Sequence, residues 1–167
     1  MNNKRCFYLF LVAGIVAGMF SQSLLARDFE IAEKYIASYS NFDLVEMEKY
    51  YSEDATFKDL TSEGFGDNAF VLEGRHNIIE KFSNPFFQTS FRLNYKFSNT
   101  FESSGHHVFN SDVTARTTTK EGISYSCGNV VTIIKIVNNK VVSHVDYADY
   151  DNFTLTAKNN GEQCRKF

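Results

Sequence analysis

The chain has 167 residues and a formal net charge of −3, a length typical of one domain with one buried core. Nucleic-acid-binding domains usually carry a basic face, so this acidic balance argues against nucleic acid as a partner. Phe 17 and Tyr 9, with no tryptophan and a single proline, indicate an aromatic-rich globular protein.

Residues 1–26 have the features of a signal peptide. The basic pair Lys4-Arg5 precedes an uncharged apolar run, Cys6 to Phe20, and small residues then lead to Ala26. The alternative is an uncleaved anchor, but the run is short for a membrane-spanning helix of about 20 residues. We expect cleavage after Ala26 or Ser23, giving a periplasmic or secreted protein with no stable membrane association.

Export makes a disulfide possible. Cys6 would leave with the signal peptide, so Cys127 and Cys164 remain as one potential pair. Two unpaired thiols are the alternative, because the sequence does not show whether the two Cα atoms come close enough. No Cys or His spacing is typical of a metal site, and we predict neither a metal nor a cofactor.

Helices are predicted at the start of the mature chain. Residues 28–39 place apolar side chains at helical spacing. A second helix begins at Asp43, with Glu46 as its capping-box partner. A third starts near Gly74 and stops at the segment Ser83-Asn84-Pro85. The inward positions of the first helix are Phe29, Ala32, Ile36 and Tyr39, with Tyr35 beside them.

Strands dominate the remainder. Alternation and turn residues predict strands at Ala55 to Asp59, Phe91 to Glu102, His107 to Thr119, Ile123 to Val137 and Val141 to Tyr150. Thr61 to Leu72 is predicted as a loop, and Asn138-Asn139 as a tight hairpin turn. Helices before a mostly antiparallel sheet predict an α+β domain, with the helices covering one concave sheet face.

This order of elements, with Gly74-Arg75-x-x-Ile78 at the third helix, resembles the nuclear-transport-factor-like superfamily. That superfamily includes SnoaL-like polyketide cyclases, limonene-epoxide hydrolases and ketosteroid isomerases. The resemblance implies a cone-shaped barrel over residues 27–155, with the N-terminal helices packed in a curved sheet around an apolar pocket, and it leaves residues 156–167 as a C-terminal tail. The exposed sheet face is compatible with a homodimer. The pattern from His144 to Tyr150 is similar to the last strand of many SnoaL-like proteins.

The segment Asp-Ala-Thr-Phe-Lys-Asp that ends at Asp59 is similar to the ketosteroid isomerase segment that carries the proton-shuttling base. The resemblance implies that Asp59 is a base and that Tyr35 donates a hydrogen bond to an oxyanion. The isomerases' second oxyanion donor falls near Val131 or Thr132, and neither supplies a strong donor, which argues against steroid isomerisation itself. The simpler alternatives are that Asp59 caps a turn and that the Tyr35 ring is part of the core.

His144 and Asp146 lie two residues apart on a strand and therefore share a face. Regular alternation would instead bury Val141, Val145 and Tyr147. That reading leaves His144 and Asp146 in solvent or at a dimer interface, whereas the resemblance turns them inward together with Ala148. We expect the inward arrangement, in which Asp146 orients His144 as an acid or base.

The sequence thus predicts a pocket for a small hydrophobic molecule and cofactor-independent acid–base chemistry of isomerase, cyclase or hydrolase type. The predicted catalytic residues are Asp59, His144, Asp146 and Tyr35. The predicted ligand contacts are Phe57, Ala148, Tyr51 and Phe82. His106 and His107 adjoin a turn and are predicted to be solvated. The alternative function is a non-catalytic ligand-binding or dimerisation module, because a fold alone does not determine activity.

Overall fold

The structure, a computed structural model, describes residues 26–60 and 70–148 and the backbone of residues 154–156. All but Ala26 of the predicted signal peptide, Cys164, and all but Thr156 of the predicted C-terminal tail lie outside these residues. Within the described ranges, no helix is both long enough and apolar enough to cross a membrane.

Three helices precede or interrupt the sheet: α1 at residues 26–41, α2 at Leu44–Tyr50 and α3 at Arg75–Phe82. Asp43 is confirmed as the N-cap of α2, because its carboxylate accepts a hydrogen bond of 3.2 Å from the Glu46 backbone N–H. The Glu46 carboxylate, predicted as the capping-box partner, instead accepts a hydrogen bond from Lys49. The buried positions of α1 repeat at helical spacing and comprise Ala32, Tyr35, Ile36 and Tyr39.

Seven strands form one mixed sheet. They are β1 Tyr51–Asp59, β2 Phe70–Glu73, β3 Phe91–Ser103, β4 His106–Thr119, β5 Gly122–Val137, β6 Lys140–Ala148 and β7 Thr154–Thr156. The five predicted strands are confirmed with shifted ends. The short strands β2 and β7 and a π-helical turn at Phe86–Ser90 were not predicted.

The strand order is β2-β1-β6-β5-β4-β3. Only the β1–β6 pair is parallel among these strands, and β5 lies between β6 and β4. β6 pairs with the second half of β5 and β7 with its first half. The predicted α+β cone is confirmed, but the described strands form an open sheet and do not close into a barrel.

α1 packs into the concave face of this sheet. The Tyr39 ring lies 5.6 Å from the Phe57 ring, 5.8 Å from Phe82 and 4.7 Å from His144, measured between centroids. Aromatic contacts of this kind add about 0.5–1.5 kcal/mol each beyond area burial. The helix thereby fixes its tyrosine hydroxyls near the centre of the sheet.

A β-bulge in β6 decides which face of the strand is buried. Lys135 pairs with Ser143 and Ile136 with Val141, so Val142 is an extra residue in the ladder. The bulge lets both Val141 and His144 point inward, although regular alternation permits only one of them. The alternation reading that buried Val145 and Tyr147 is therefore wrong, and Tyr147 is exposed.

Cys127 is disulfide-bonded, and its partner lies outside the described residues. Cys127 also faces Thr154 in the β5–β7 ladder, so the chain after β6 returns to this position. The alternative of a free thiol at Cys127 is therefore wrong.

The β5–β6 turn generates a stability prediction. Asn138 and Asn139 have φ angles of 52° and 60°, a region that asparagine tolerates and β-branched residues avoid. We expect Asn139→Val to lower the free energy of unfolding by about 1–2 kcal/mol in urea titration. The control is Lys135→Val, an exposed position in extended backbone. Equal stability of the two variants would contradict the turn assignment.

Candidate functional site

A cavity of about 550 Å³ lies between α1, α3, the π-helical turn and the sheet. This volume is within the range of small-molecule sites in proteins. Its wall is mainly aromatic and aliphatic, and includes Phe42, Phe57, Phe82, Phe87, Phe91 and Leu93. Such a wall favours an apolar guest.

Few polar side chains reach this cavity. Asp59 and Asp146 both line it, as do the hydroxyl-bearing Tyr39 and Tyr95, and Lys81 contributes a cation whose ammonium group lies 4.8 Å from the centre of the Phe70 ring. Asp59 and Asp146 are Cα partners in the parallel β1–β6 ladder. Neighbouring strands lie about 4.8 Å apart, so the two carboxylates are adjacent on one sheet face.

Two hydroxyl donors and one imidazole surround Asp146. The Thr132 hydroxyl donates to Oδ1, and the Tyr39 hydroxyl donates to Oδ2 over 3.3 Å. His144 Nε2 lies 2.9 Å from Oδ2, but its N–H bond is not aligned with that oxygen, so this contact is mainly electrostatic. Asp146 is only 3% exposed, and a carboxylate at that depth needs such partners to remain charged.

Behind Asp146 the polar contacts continue away from the cavity. The Tyr35 hydroxyl is 2.7 Å from His144 Nδ1 and also hydrogen-bonds to the Tyr51 hydroxyl. Tyr35, Tyr51 and His144 have no exposed surface. We call this connected set, Tyr51, Tyr35, His144 and Asp146, the buried relay.

The structure brings the four predicted catalytic residues into one cluster, but not all at the cavity surface. Asp59 and Asp146 line the cavity, whereas His144 and Tyr35 lie behind Asp146. The Tyr35 hydroxyl is occupied by His144 and Tyr51, so direct contact with a substrate oxyanion is not what its geometry supports.

Two of the four predicted ligand-contact residues line the cavity, and two do not. Phe57 and Phe82 line the cavity. Tyr51 is buried beneath the wall against Tyr35, and Ala148 follows Asp146 beyond the lining residues. Direct ligand contact by Tyr51 or Ala148 is therefore not supported by the geometry.

The prediction that His107 is solvated is wrong. β4 begins at His106, so alternation turns His107 to the buried face, where it lies against the Phe29 ring at 5.9 Å. Neither ring nitrogen has a hydrogen-bond partner, and burial lowers the pKa of His107. The side chain is a neutral core residue.

Three residues of the site were missed by sequence reasoning as functional groups: Tyr39, Tyr95 and Thr132. Tyr39 was correctly placed on the inward face of the first helix, yet a pattern of apolar positions does not show which hydroxyl meets a carboxylate. Thr132 was considered only as a replacement for a stronger donor. Residues 26–60 and 70–148 contain no group of His, Cys, Asp or Glu side chains suited to a metal ion.

The tyrosines are held in their neutral form. Burial raises the pKa of Tyr35, Tyr39 and Tyr51 above the ordinary value of 10.0, and the charge of Asp146 acts in the same direction. Burial also raises the pKa of Tyr95, whose hydroxyl is within hydrogen-bonding reach of Tyr39 and Thr132. All four hydroxyls therefore remain hydrogen-bond donors at neutral pH.

These shifts predict a loss of stability in alkaline solution. Each tyrosine ionises near pH 10 in the unfolded chain but at higher pH in the folded protein, so the stabilisation is complete below pH 10 and is lost above it. The free energy of unfolding should fall by about 1.4 kcal/mol per pH unit for each fully buried tyrosine. Urea titrations from pH 8 to 11.5 measure this slope, which Tyr35→Phe should reduce. A flat profile above pH 10 would contradict the burial of these hydroxyls.

Comparison with known proteins supports the architecture. A family profile described as the SnoaL-like domain matches residues 32–144. A protein from Shewanella putrefaciens CN-32 assigned to the SnoaL-like polyketide cyclases has 20% identity and a TM-score of 0.62, covering 75% of this chain and 81% of its own. A second such protein, from Shewanella denitrificans OS-217, has 20% identity and a TM-score of 0.63, and the match covers 75% of this chain and 92% of that protein.

An LEH-like epoxide hydrolase of M. tuberculosis has 9% identity and a TM-score of 0.63, covering 76% of this chain and 86% of its own. These identities show a shared fold and no more. No curated protein matches by sequence. Because the family profile spans most of the chain, the protein belongs to the SnoaL-like domain family.

Proposed function

We propose that this protein is a cofactor-independent acid–base enzyme that acts on a small apolar carbonyl compound in the cavity. The observation that carries the proposal is the in-register pair Asp59 and Asp146, two adjacent carboxylates on the wall of a mainly aromatic cavity. Carboxylates are costly to bury in such surroundings, and adjacent like charges add to that cost.

The two carboxylates have different roles in this proposal. Asp146 is fixed by Thr132, Tyr39 and His144, so it acts as a stationary negative charge. Asp59 is partly exposed at the end of β1 and is the group that accepts a proton. Protonation of one carboxylate relieves repulsion from its neighbour, which favours proton transfer from substrate to Asp59.

The proposed step is abstraction of a proton from carbon next to a carbonyl group. The C–H bond breaks, the proton moves to an Asp59 oxygen, and the electron pair moves onto the carbonyl oxygen as an enolate. Tyr95 is a neutral donor that lines the same cavity and stabilises that oxygen, whereas the Tyr39 hydroxyl proton is already donated to Asp146. In an unsaturated ketone, return of the proton from Asp59 to the γ-carbon completes an isomerisation. In a compound with a second carbonyl group, the enolate carbon attacks that carbonyl carbon, its C=O π bond opens to an alkoxide, and the alkoxide takes the proton back from Asp59, which completes a cyclisation.

The family membership is compatible with this chemistry but does not choose the reaction. Cyclase- and hydrolase-type proteins share the fold, and a fold hosts many activities. The aromatic wall supports an apolar substrate, and the features of residues 1–26 support action after export, in the periplasm or outside the cell.

Hydrogen–deuterium exchange at carbon tests the proposed step directly. The protein is incubated in D₂O with cyclic ketones and enones, and deuterium incorporation beside the carbonyl is followed by NMR. We expect Asp59→Asn to slow the exchange by about 10²–10⁴-fold, the usual contribution of a general base. Asp54→Asn, an identical change at an exposed position of the same strand, should leave the rate unchanged. Equal rates for Asp59→Asn and the wild type would remove Asp59 from the mechanism.

Ligand binding without turnover would indicate the alternative, a non-catalytic binding module. Thermal unfolding with the same ketones separates these outcomes, because binding to the folded protein raises the melting temperature whether or not chemistry follows. A cavity-filling change, Ala115→Phe, should abolish the shift because Ala115 lines the cavity. Stabilisation by several ketones with no exchange in any of them would overturn the enzyme proposal.

A further inference from the structure

The chemistry of the groups in the buried relay determines which of them donates each hydrogen bond and which accepts it. An ionised carboxylate only accepts hydrogen bonds, a hydroxyl both donates and accepts, and a neutral imidazole donates at one nitrogen and accepts at the other. Each of these groups has a defined neighbour in the relay. The proton positions can therefore be worked out from one end.

Asp146 determines whether the nearer ring nitrogen of His144, Nε2, carries a proton. Its Oδ1 accepts from the Thr132 hydroxyl and its Oδ2 accepts from the Tyr39 hydroxyl, which identifies the group as a carboxylate. His144 Nε2 at 2.9 Å from Oδ2 must then carry hydrogen, since two facing acceptors would repel. The imperfect alignment of this N–H weakens its contact with Oδ2, but the contact remains attractive.

The other end of the ring sets the second proton. If His144 is neutral with hydrogen on Nε2, Nδ1 is an acceptor, so Tyr35 donates to it over 2.7 Å. The Tyr35 oxygen then accepts from the Tyr51 hydroxyl, and each donor in the relay has one acceptor. The raised pKa of both tyrosines agrees with two hydroxyl protons in place.

A hydrogen on Nδ1 would reverse this order. Tyr35 would then accept from His144 and donate to Tyr51, and the Tyr51 hydroxyl would need a further acceptor. Within residues 26–60 and 70–148, Tyr35 is the hydrogen-bond partner of that hydroxyl. The reversed order leaves a buried O–H unpaired, which is unfavourable.

We propose that Tyr35 and Tyr51 are positioning residues that hold His144 as the neutral Nε2–H tautomer, directed at Asp146. This inference rests on the proposed function for its catalytic meaning, because the tautomer keeps the Asp146 charge fixed beside Asp59. Neither tyrosine touches the substrate. Tyr35 acts on the imidazole, and Tyr51 acts on Tyr35.

Nitrogen-15 NMR of histidine-labelled protein reads the tautomer directly. The chain has four histidines, and His144→Gln identifies the signal of His144 by its disappearance. We expect wild-type His144 to show a proton on Nε2 and a hydrogen-bonded Nδ1. A proton on Nδ1 at neutral pH, in either the other tautomer or the doubly protonated ring, would overturn the proposal.

Two matched variants separate the roles of the tyrosines, since each removes one fully buried hydroxyl. In Tyr35→Phe the Nδ1 resonance should move to the position of a nitrogen without a hydrogen bond. In Tyr51→Phe it should stay near the wild-type position, because Tyr35 still donates. An unchanged Nδ1 resonance in Tyr35→Phe would also refute the assignment, and if a variant does not fold, the wild-type spectrum still decides.

Deuterium exchange then links the tautomer to catalysis. If Asp146 depends on the relay, Tyr35→Phe should lower kcat by about 10²-fold, the usual cost of a misplaced group, with little change in KM. An unchanged kcat would refute the positioning role. If the wild type exchanges none of the ketones, the proposed function fails, whereas the tautomer is still decided by NMR. The two failures are therefore distinguishable.

Discussion

The interaction on which the site depends is the set of hydrogen bonds that holds the buried Asp146 carboxylate. A charge in an aromatic cavity is tolerated only where donors replace water. Its partners come from three separate elements: the hydroxyls of Tyr39 in α1 and Thr132 in β5 donate hydrogen bonds, and the His144 ring in β6 lies in close electrostatic contact. Satisfying this one group therefore aligns the first helix with the centre of the sheet.

The sheet supplies the second constraint. The bulge at Val142 turns His144 and Asp146 inward, and the parallel pairing of β1 with β6 sets Asp59 opposite Asp146. A shift of either strand by one residue would move the carboxylate of that strand to the other face. The cavity and its acidic pair therefore follow from strand register, whereas the tyrosine hydroxyls follow from helix packing.

Much of the architecture was predictable from sequence because it depends on local pattern. The stripe of α1, the Asp43 cap and the Asn138-Asn139 turn each have a signature within a few residues. The burial of His144 was not predictable from alternation, since a bulge breaks the period of two, and only the family resemblance gave the correct face. The roles of Tyr39, Tyr95 and Thr132 were missed because a hydroxyl's partner is set by long-range packing.

The central claim is that the cavity binds a carbonyl compound with its oxygen toward Tyr95 and its acidic carbon toward Asp59. A crystal structure with a phenol, whose oxygen mimics that of an enolate, measures this orientation most directly. We expect the phenol oxygen within hydrogen-bonding distance of the Tyr95 hydroxyl and the ring against Phe57 and Phe82. A phenol bound outside the cavity, or one whose oxygen faces the aromatic wall, would contradict it.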